Sequence, residues 1–170
     1  LQNPPGRRGA LLWQVRRSVN AEAMRAPQAA PAALRVWQIT DGKRGHEVQV
    51  EGLIAALRER LPVELETTAL QALPSVFSWR WQPPTQEPDL VIGAGHATHG
   101  QLLAARWRAG LTTLVLMKPS LPRRLFNYCM APRHDGLGDG PRCLATEGAL
   151  NPLRQRTGAD PREGLILIGG

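Results

Sequence analysis

Short apolar segments alternate with amphipathic ones between residues 34 and 148, and this alternation predicts the fold. The apolar segments 35–40, 89–93 and 112–117 have the length of buried strands. The side chains that share one face of the first predicted helix are Val50, Leu53, Ile54, Leu57 and Leu61, and Pro62 follows them. Apolar strands that alternate with helices favour a parallel sheet covered on both faces. We therefore expect an α/β, Rossmann-like, doubly wound domain.

The remaining elements complete this domain. A second helix is predicted over 98–109, with Gly110 as its C-terminal stop. Further strands are predicted over 63–68, 127–131 and 142–145. The segment 74–88 is rich in tryptophan and proline and predicts an irregular connection or a short helix. We expect the folded domain to cover residues 34–160.

The two ends of the chain differ from this domain. Residues 1–33 are rich in arginine and proline and lack a periodic apolar pattern, so we expect a disordered basic leader. Residues 161–170 contain the apolar run 165–168 followed by two glycines, which is typical of a buried strand entering a turn. We expect this run to be the first strand of a second domain, and the chain to be truncated there.

Charge and cysteine content narrow the function classes. The net charge of the 170 residues is +7, but residues 1–33 hold five arginines against one glutamate. A nucleic-acid partner is not favoured, because the excess lies mostly outside the predicted fold. No apolar run approaches the roughly 20 residues of a membrane span. Two cysteines, Cys129 and Cys143, are too few for a four-thiolate zinc site, and we predict no metal site.

Four polar segments follow predicted strands, at the edge where open parallel sheets bind ligands. The first consists of Thr40, Asp41, Gly42, Lys43, Arg44, Gly45 and His46. Its glycines permit a tight turn, and the free N–H groups that open the next helix favour an anion. Lys43 and Arg44 could add contacts to phosphate or carboxylate. The alternative is a polar turn in which Asp41 caps the helix.

The second segment consists of Gly93, Ala94, Gly95, His96, Ala97, Thr98 and His99. It begins like a GxGxxG dinucleotide fingerprint, but Thr98 occupies the third glycine position. His96 and His99 could donate hydrogen bonds to a substrate. Zinc is not favoured, because no cysteine or acidic residue stands at ligand spacing. The alternative for a helical histidine is a plain surface residue, which we expect of His99 more than of His96.

The third and fourth segments follow later strands. Lys118 and Ser120 lie in the proline-containing segment 117–122, where a cation would meet an anionic ligand or simply be solvated. His134 and Asp135 could form an acid/base pair. Neighbouring side chains on an extended backbone point to opposite sides, however, so a turn is the alternative for this pair.

The motifs just described resemble those of a known family. The matching residues are Ile39 to Glu47 with Gln49, Gly93 to His96 with Thr98 and His99, Met117 to Ser120, and Pro132 with His134 and Asp135. They are similar to the ELM family, the mitochondrial-fission proteins of plants and their bacterial relatives. The bacterial members are labelled nucleoside-diphosphate-sugar epimerases or glycosyltransferases. The resemblance implies a second Rossmann-like domain after residue 170 and an outline similar to GT-B glycosyltransferases.

By this resemblance the chain is the N-terminal, acceptor-side half of a GT-B-like two-domain transferase. A nucleotide sugar would be the co-substrate without any further cofactor, and the acceptor would be a cell-envelope glycan or lipid. The catalytic base would be among Asp41, His46 and His96. The residues expected to bind substrate are Thr40, Gly42, Lys43, Arg44, Gly45, Gly93, Gly95, Thr98, His99, Lys118, Ser120, His134 and Asp135. The expected location is the cytoplasm, with peripheral association at the inner membrane face.

Two other functions remain open. The first is a non-catalytic interaction module at a membrane surface, which the fission role of the plant members suggests. The second is an NAD-dependent epimerase of sugar nucleotides. The altered GxGxxG pattern weakens the epimerase interpretation, and so does the absence of a Tyr-x-x-x-Lys pair, since Tyr128 is the only tyrosine.

Overall fold

A computed structural model describes residues 32–78, 80–84 and 87–154 of the protein. Its strands are β1 (Leu34–Thr40), β2 (Val63–Ala69), β3 (Leu90–Ala94), β4 (Thr113–Leu116), β5 (Tyr128–Pro132) and β6 (Cys143–Thr146). Its α-helices are α1 (Arg44–Arg58) and α2 (His99–Ala109). Single 3-10 turns lie at Leu70–Ala72, His96–Thr98, Arg123–Leu125 and Arg133–Asp135. The described part of the segment 74–88 contains turns and no helix.

The described strands form one sheet in the order β2-β1-β3-β4-β5-β6, and every neighbouring pair is parallel. Successive side chains of β1 point to opposite faces of the sheet. Val36 belongs to the apolar cluster that α1 covers, whereas Trp37 and Ile39 belong to the cluster on the side of α2. The predicted α/β, Rossmann-like arrangement is therefore confirmed.

Local sequence signals fix several boundaries. Gly110 ends α2 as predicted, with the left-handed φ of 68° and its N–H donating to the carbonyl of Arg106 at 3.1 Å. Asp89 joins the start of β3 to β1, because its carboxylate accepts from the backbone N–H of Arg35 at 2.9 Å and pairs with the Arg35 guanidinium at 3.2 Å. This contact sets the register in which Ile39 is opposite Gly93.

The strand order places a crevice at a particular point of the sheet. From β1 the chain passes outward to β2 and then returns across β1 to β3, so the winding direction changes between β1 and β3. Ligands of open α/β sheets bind beyond the carboxyl ends of the strands at such a switch point. No described helix has the length and hydropathy needed to cross a bilayer. The predicted leader and the predicted final strand lie outside the described residues.

Candidate functional site

All four predicted polar segments lie at the carboxyl edge of the sheet. They follow β1, β3, β4 and β5, and these strands are parallel. The segments after β1 and β3 flank the switch point and touch each other directly. Side chains far apart in the sequence therefore line one crevice.

The centre of this crevice is an aspartate–histidine pair. Nδ1 of His46 lies 3.0 Å from both carboxylate oxygens of Asp41, and the two side chains are 17% and 5% exposed. The Asp41 carboxylate also accepts from the backbone N–H of Lys43 at 3.2 Å. Lys43 is the N-cap residue of α1, and no side chain caps that helix. The alternative in which Asp41 caps the helix is therefore wrong.

The surroundings of Asp41 keep its carboxyl group ionised. Burial alone would raise the pKa of Asp41, but the hydrogen bonds from the Lys43 N–H and the His46 ring outweigh it, so the pKa is lowered. An ionised carboxylate can only accept hydrogen bonds, so Nδ1 of His46 carries the proton. Nε2 then has the free lone pair that a general base requires. Among the described residues, none forms a hydrogen bond with Nε2.

Gly95 provides the surface on which the His46 ring lies. A β-carbon added at Gly95 would stand 2.5 Å from Nδ1 of His46. The backbone angles of Gly95, φ 80° and ψ 159°, belong to a region that only glycine adopts readily. The turn after β3 therefore makes room for the imidazole of His46, because Gly95 has no side chain.

Thr98 stabilises the same turn through a buried hydrogen bond. Its side chain is fully buried, and its hydroxyl donates to the carbonyl of Gly95 at 2.9 Å. A β-carbon at Gly93 would stand 2.6 Å from this hydroxyl oxygen. The Thr98 hydroxyl thus has a partner inside the turn, and Gly93 is required for the close approach.

The two histidines of this segment have opposite environments. His96 is exposed, whereas His99 is 4% exposed and its ring lies 5.2 Å from that of Phe126. The expectation that His99 is the more exposed histidine is wrong, because the 3-10 turn before α2 directs His99 inward. Burial lowers the pKa of His99, and the charge of His96 lowers it further. The neutral ring lies 3.4 Å, through Nδ1, from the hydroxyl of Ser120.

The third segment is therefore linked to the second through His99 and Ser120. It begins with Met117, a non-glycine residue with the positive φ of 70°. The N–H of Met117 donates to the carbonyl of Met130 at 2.8 Å, which stabilises this turn. Lys118 follows and is exposed at the edge of the crevice. The sequence carries no signal for the left-handed backbone at Met117.

Thr40 connects the end of β1 to the first turn of α1. Its hydroxyl donates to Glu47 at 3.1 Å and accepts from the N–H of Gly42 at 3.0 Å. Gly42 has the positive φ of 78° that this turn requires. Glu47 is not among the residues expected to bind substrate, although it belongs to the motif that resembles the ELM family.

The cations of the first segment differ in their availability. Arg44 pairs with Glu51 on the outer surface of α1, where Nη1 lies 2.5 Å from the carboxylate. Lys43 and Gly45 are exposed, and no described carboxylate pairs with Lys43. Lys43 is therefore the more available cation for an anionic ligand.

The fourth segment forms a turn, which was the alternative for it. His134 and Asp135 lie in a 3-10 turn, not on extended backbone, and Nε2 of His134 is 3.7 Å from Oδ1 of Asp135. The alternative of a turn at this pair is therefore confirmed, and the opposed side chains of an extended backbone do not occur. His134 is 71% exposed. Among the described residues, no hydrogen bond or ion pair joins this pair to the other segments.

The arrangement is suited to removing a proton at the switch crevice. The described residues contain no group of three or more histidine, cysteine, aspartate or glutamate side chains that could hold a metal ion. The Asp41–His46 pair provides an oriented imidazole, and Lys43 and Lys118 provide exposed positive charge at the same edge. An oriented imidazole beside exposed cations can take a proton from a group that lies close to a negatively charged ligand.

Comparison with known proteins supports one assignment. No curated protein and no solved structure matches the chain. Residues 44–170 match the family described as Mitochondrial fission ELM1. This range includes His46 and the polar segments that follow β3, β4 and β5. The expected family resemblance is confirmed, and the chain belongs to the mitochondrial fission ELM1 family.

Proposed function

We propose that this chain is the acceptor-side domain of a GT-B-type glycosyltransferase that uses a nucleotide sugar. The observation that carries the proposal is the Asp41–His46 pair, held against Gly95 at the switch crevice. The binding of nucleotide sugars between two Rossmann-like domains in GT-B enzymes supports the choice. The second domain of such an enzyme would face this carboxyl edge.

In this mechanism His46 is the base and Asp41 orients it. Nε2 takes the proton of an acceptor hydroxyl, and the oxygen attacks the anomeric carbon of the donor sugar. The bond from that carbon to the diphosphate oxygen breaks, and the nucleoside diphosphate leaves with the electron pair. Asp41 stabilises the imidazolium that forms. Of the three candidate bases, His46 fits best, because Asp41 is ionised at low pKa and His96 has no described partner that orients it.

The acceptor and the location belong to the same proposal. We infer a glycan or lipid of the cell envelope as acceptor and a cytoplasmic enzyme at the inner membrane face. The family resemblance supports both.

The competing functions predict different geometry or different results. An NAD-dependent epimerase of the Tyr-x-x-x-Lys type needs its tyrosine beside the cofactor. Tyr128, however, is the first residue of β5 and so lies at the amino edge, opposite the crevice. A non-catalytic interaction module would use the same exposed loops to bind a partner and would not need an oriented base.

The test uses the full coding sequence, including any domain after residue 170. We expect UDP-, ADP- or GDP-sugars to raise its melting temperature and to release nucleoside diphosphate when an acceptor is present. The change His46→Gln should lower kcat by about 100-fold to 10,000-fold, as expected for loss of a general base, while donor binding persists. The comparison variant Arg58→Gln, at the exposed end of α1, should lose far less.

Two results would refute the proposal in different ways. If no sugar nucleotide stabilises the protein or is consumed, the interaction module becomes the better function. If turnover occurs but survives both His46→Gln and Asp41→Asn, the activity stands and the base has been assigned wrongly.

A further inference from the structure

A cavity lined by arginines lies at the amino edge of the sheet, opposite the edge that holds the candidate site. It has a volume of about 270 Å³ and is lined by residues 123, 124 and 140–143. Residues 123 and 124 lie before β5, and residues 140–142 lie directly before β6. Cys143 belongs to the apolar cluster on the side of α2, so the cavity lies on that side of the sheet. We call it the basic cavity.

Backbone hydrogen bonds fix both walls of the basic cavity. On one side, Nη1 of Arg106 in α2 donates to the carbonyl of Arg124 at 3.0 Å, which attaches the 3-10 turn before β5 to the helix. On the other side, two reciprocal hydrogen bonds of 3.0 Å close the turn at residues 140–143. The carbonyl of Arg142 accepts from the N–H of Cys129 at 2.9 Å. The arginines of both walls therefore extend from fixed backbone positions.

The positive charge of the basic cavity has no counter-charge in the described part of the chain. Arg123, Arg124 and Arg142 are exposed, and no described carboxylate forms an ion pair with any of them. Nη1 of Arg123 instead lies 3.7 Å from Sγ of Cys143. Burial raises the pKa of Cys129, which is opposite Cys143 in the sheet, to about 12, so this thiol adds no negative charge. The three guanidinium groups repel one another, and an anion between them would relieve that repulsion.

The number of charges and hydrogen-bond donors selects the class of anion. Each guanidinium group has five N–H donors and binds a carboxylate or phosphate through two parallel hydrogen bonds. A carboxylate has one charge and two oxygens, so it satisfies one arginine. A phosphate monoester carries a charge of about −1.5 to −2 at pH 7, which balances at most two arginines. Two linked phosphate groups balance all three.

We propose that the basic cavity binds a diphosphate group, with Arg123 and Arg124 on one side of the group and Arg142 on the other. The cavity is slightly smaller than the roughly 300–1,000 Å³ of pockets that hold drug-sized ligands. It therefore fits the diphosphate itself, and an attached organic group would extend into solvent. The site lies at the opposite edge of the sheet from the Asp41–His46 pair and does not rest on the proposed transferase activity.

The first test measures binding to the whole chain by titration calorimetry with inorganic diphosphate, ADP, orthophosphate and citrate. We expect inorganic diphosphate to bind about tenfold more tightly than orthophosphate, because it contacts all three arginines. Citrate has several negative charges but only carboxylates, and it should bind more weakly than diphosphate. ADP distinguishes the source of the group, since much tighter binding of ADP would indicate a nucleotide and similar binding would indicate free diphosphate.

Charge-reversal variants locate the site. Arg124→Glu and Arg142→Glu should each weaken diphosphate binding about tenfold or more, because each replaces a charge-assisted contact with a repulsive charge. Arg60→Glu is the matched control, with the same charge change at an exposed position outside the cavity. Lys118→Glu removes an exposed cation at the carboxyl edge. Both of these variants should bind diphosphate as the parent chain does.

A second measurement needs no variant, so it remains decisive if a substitution impairs folding. Phenylglyoxal modifies exposed arginines, and peptide mass spectrometry shows which ones have reacted. Diphosphate should protect Arg124 and Arg142 of the parent chain from modification and leave Arg60 as reactive as before.

Five results would overturn the proposal. They are no binding of diphosphate or ADP, binding of orthophosphate or citrate as tight as that of diphosphate, unchanged binding in Arg124→Glu and Arg142→Glu, loss of binding in Lys118→Glu, and tight binding of an RNA oligonucleotide in place of diphosphate. The fourth result would assign the anion to the candidate site at the carboxyl edge.

Discussion

Replacing Gly95 by alanine places a methyl group where the structure has the imidazole of His46. The new β-carbon would stand 2.5 Å from Nδ1 and closer still to Cε1, whereas ordinary contact begins at 3.4 Å, so the ring must move by more than about 1 Å. Such a shift breaks the 3.0 Å hydrogen bond to Asp41 unless the aspartate follows. Asp41 is itself held by the N–H of Lys43, which opposes that movement.

The expected loss of stability has two parts. Alanine at the φ and ψ of Gly95 costs about 1–3 kcal/mol, and a lost hydrogen bond to a charged group costs about 1.5–3 kcal/mol. We expect Gly95→Ala to lower the free energy of unfolding by about 2.5–6 kcal/mol in total. The matched control is Gly110→Ala, which has the positive φ of 68° but nothing within 4 Å of the added carbon. It should cost only about 1–2 kcal/mol.

The assay combines urea unfolding with nitrogen-15 NMR of the histidine rings. In the parent chain His46 should show the tautomer protonated at Nδ1, and Gly95→Ala should lose that preference while Gly110→Ala keeps it. If the two variants lose equal stability and His46 keeps its tautomer in both, the imidazole ring does not lie on Gly95. The contact between the turns after β1 and β3 would then be refuted.

Three further predictions concern acid stability, helix packing and thiol reactivity. Because the pKa of Asp41 is lowered from 3.8 in the folded state, its contribution to stability is present above that pH and is lost as the pH falls below it. Unfolding midpoints of Asp41→Asn measured between neutral and acid pH should therefore depend less on pH than those of the parent chain. Gly52→Ala should destabilise the protein in urea, because the added carbon would stand 2.5 Å from the backbone of Asn151, whereas Gly45→Ala has open space. With its pKa near 12, Cys129 should resist iodoacetamide in the native protein at mildly alkaline pH and react after denaturation, as followed by mass spectrometry.

The sequence predicted those features that depend on local pattern. Apolar runs predicted the strands, and the spacing from Val50 to Leu61 predicted α1. Gly110 predicted the end of α2, and each prediction lies within a few residues of the structure. The common edge of the polar segments followed from parallel pairing alone. None of these needed knowledge of strand order.

The features that depend on three-dimensional approach could not be predicted. The contact of His46 with Gly95 joins two loops across the switch point, and periodicity within one element contains no information about it. The burial of His99 and the proximity of His134 to Asp135 both arise from single 3-10 turns, which rotate side chains away from the directions expected of a helix or an extended strand. The sequence indicated a turn at Asp135, but it did not indicate which side chains the turn would bring together.

The change of winding direction between β1 and β3 means that different parts of the domain form the ligand-binding loops and the stable sheet beneath them. Since the chain leaves these two strands toward opposite sides, neither connection can close over the gap between them, and the gap is a product of topology. The position of the gap is therefore set by the strand order and not by the side chains that line it. Relatives could therefore acquire new ligands by exchanging loop residues, with the β-layer beneath them unaltered.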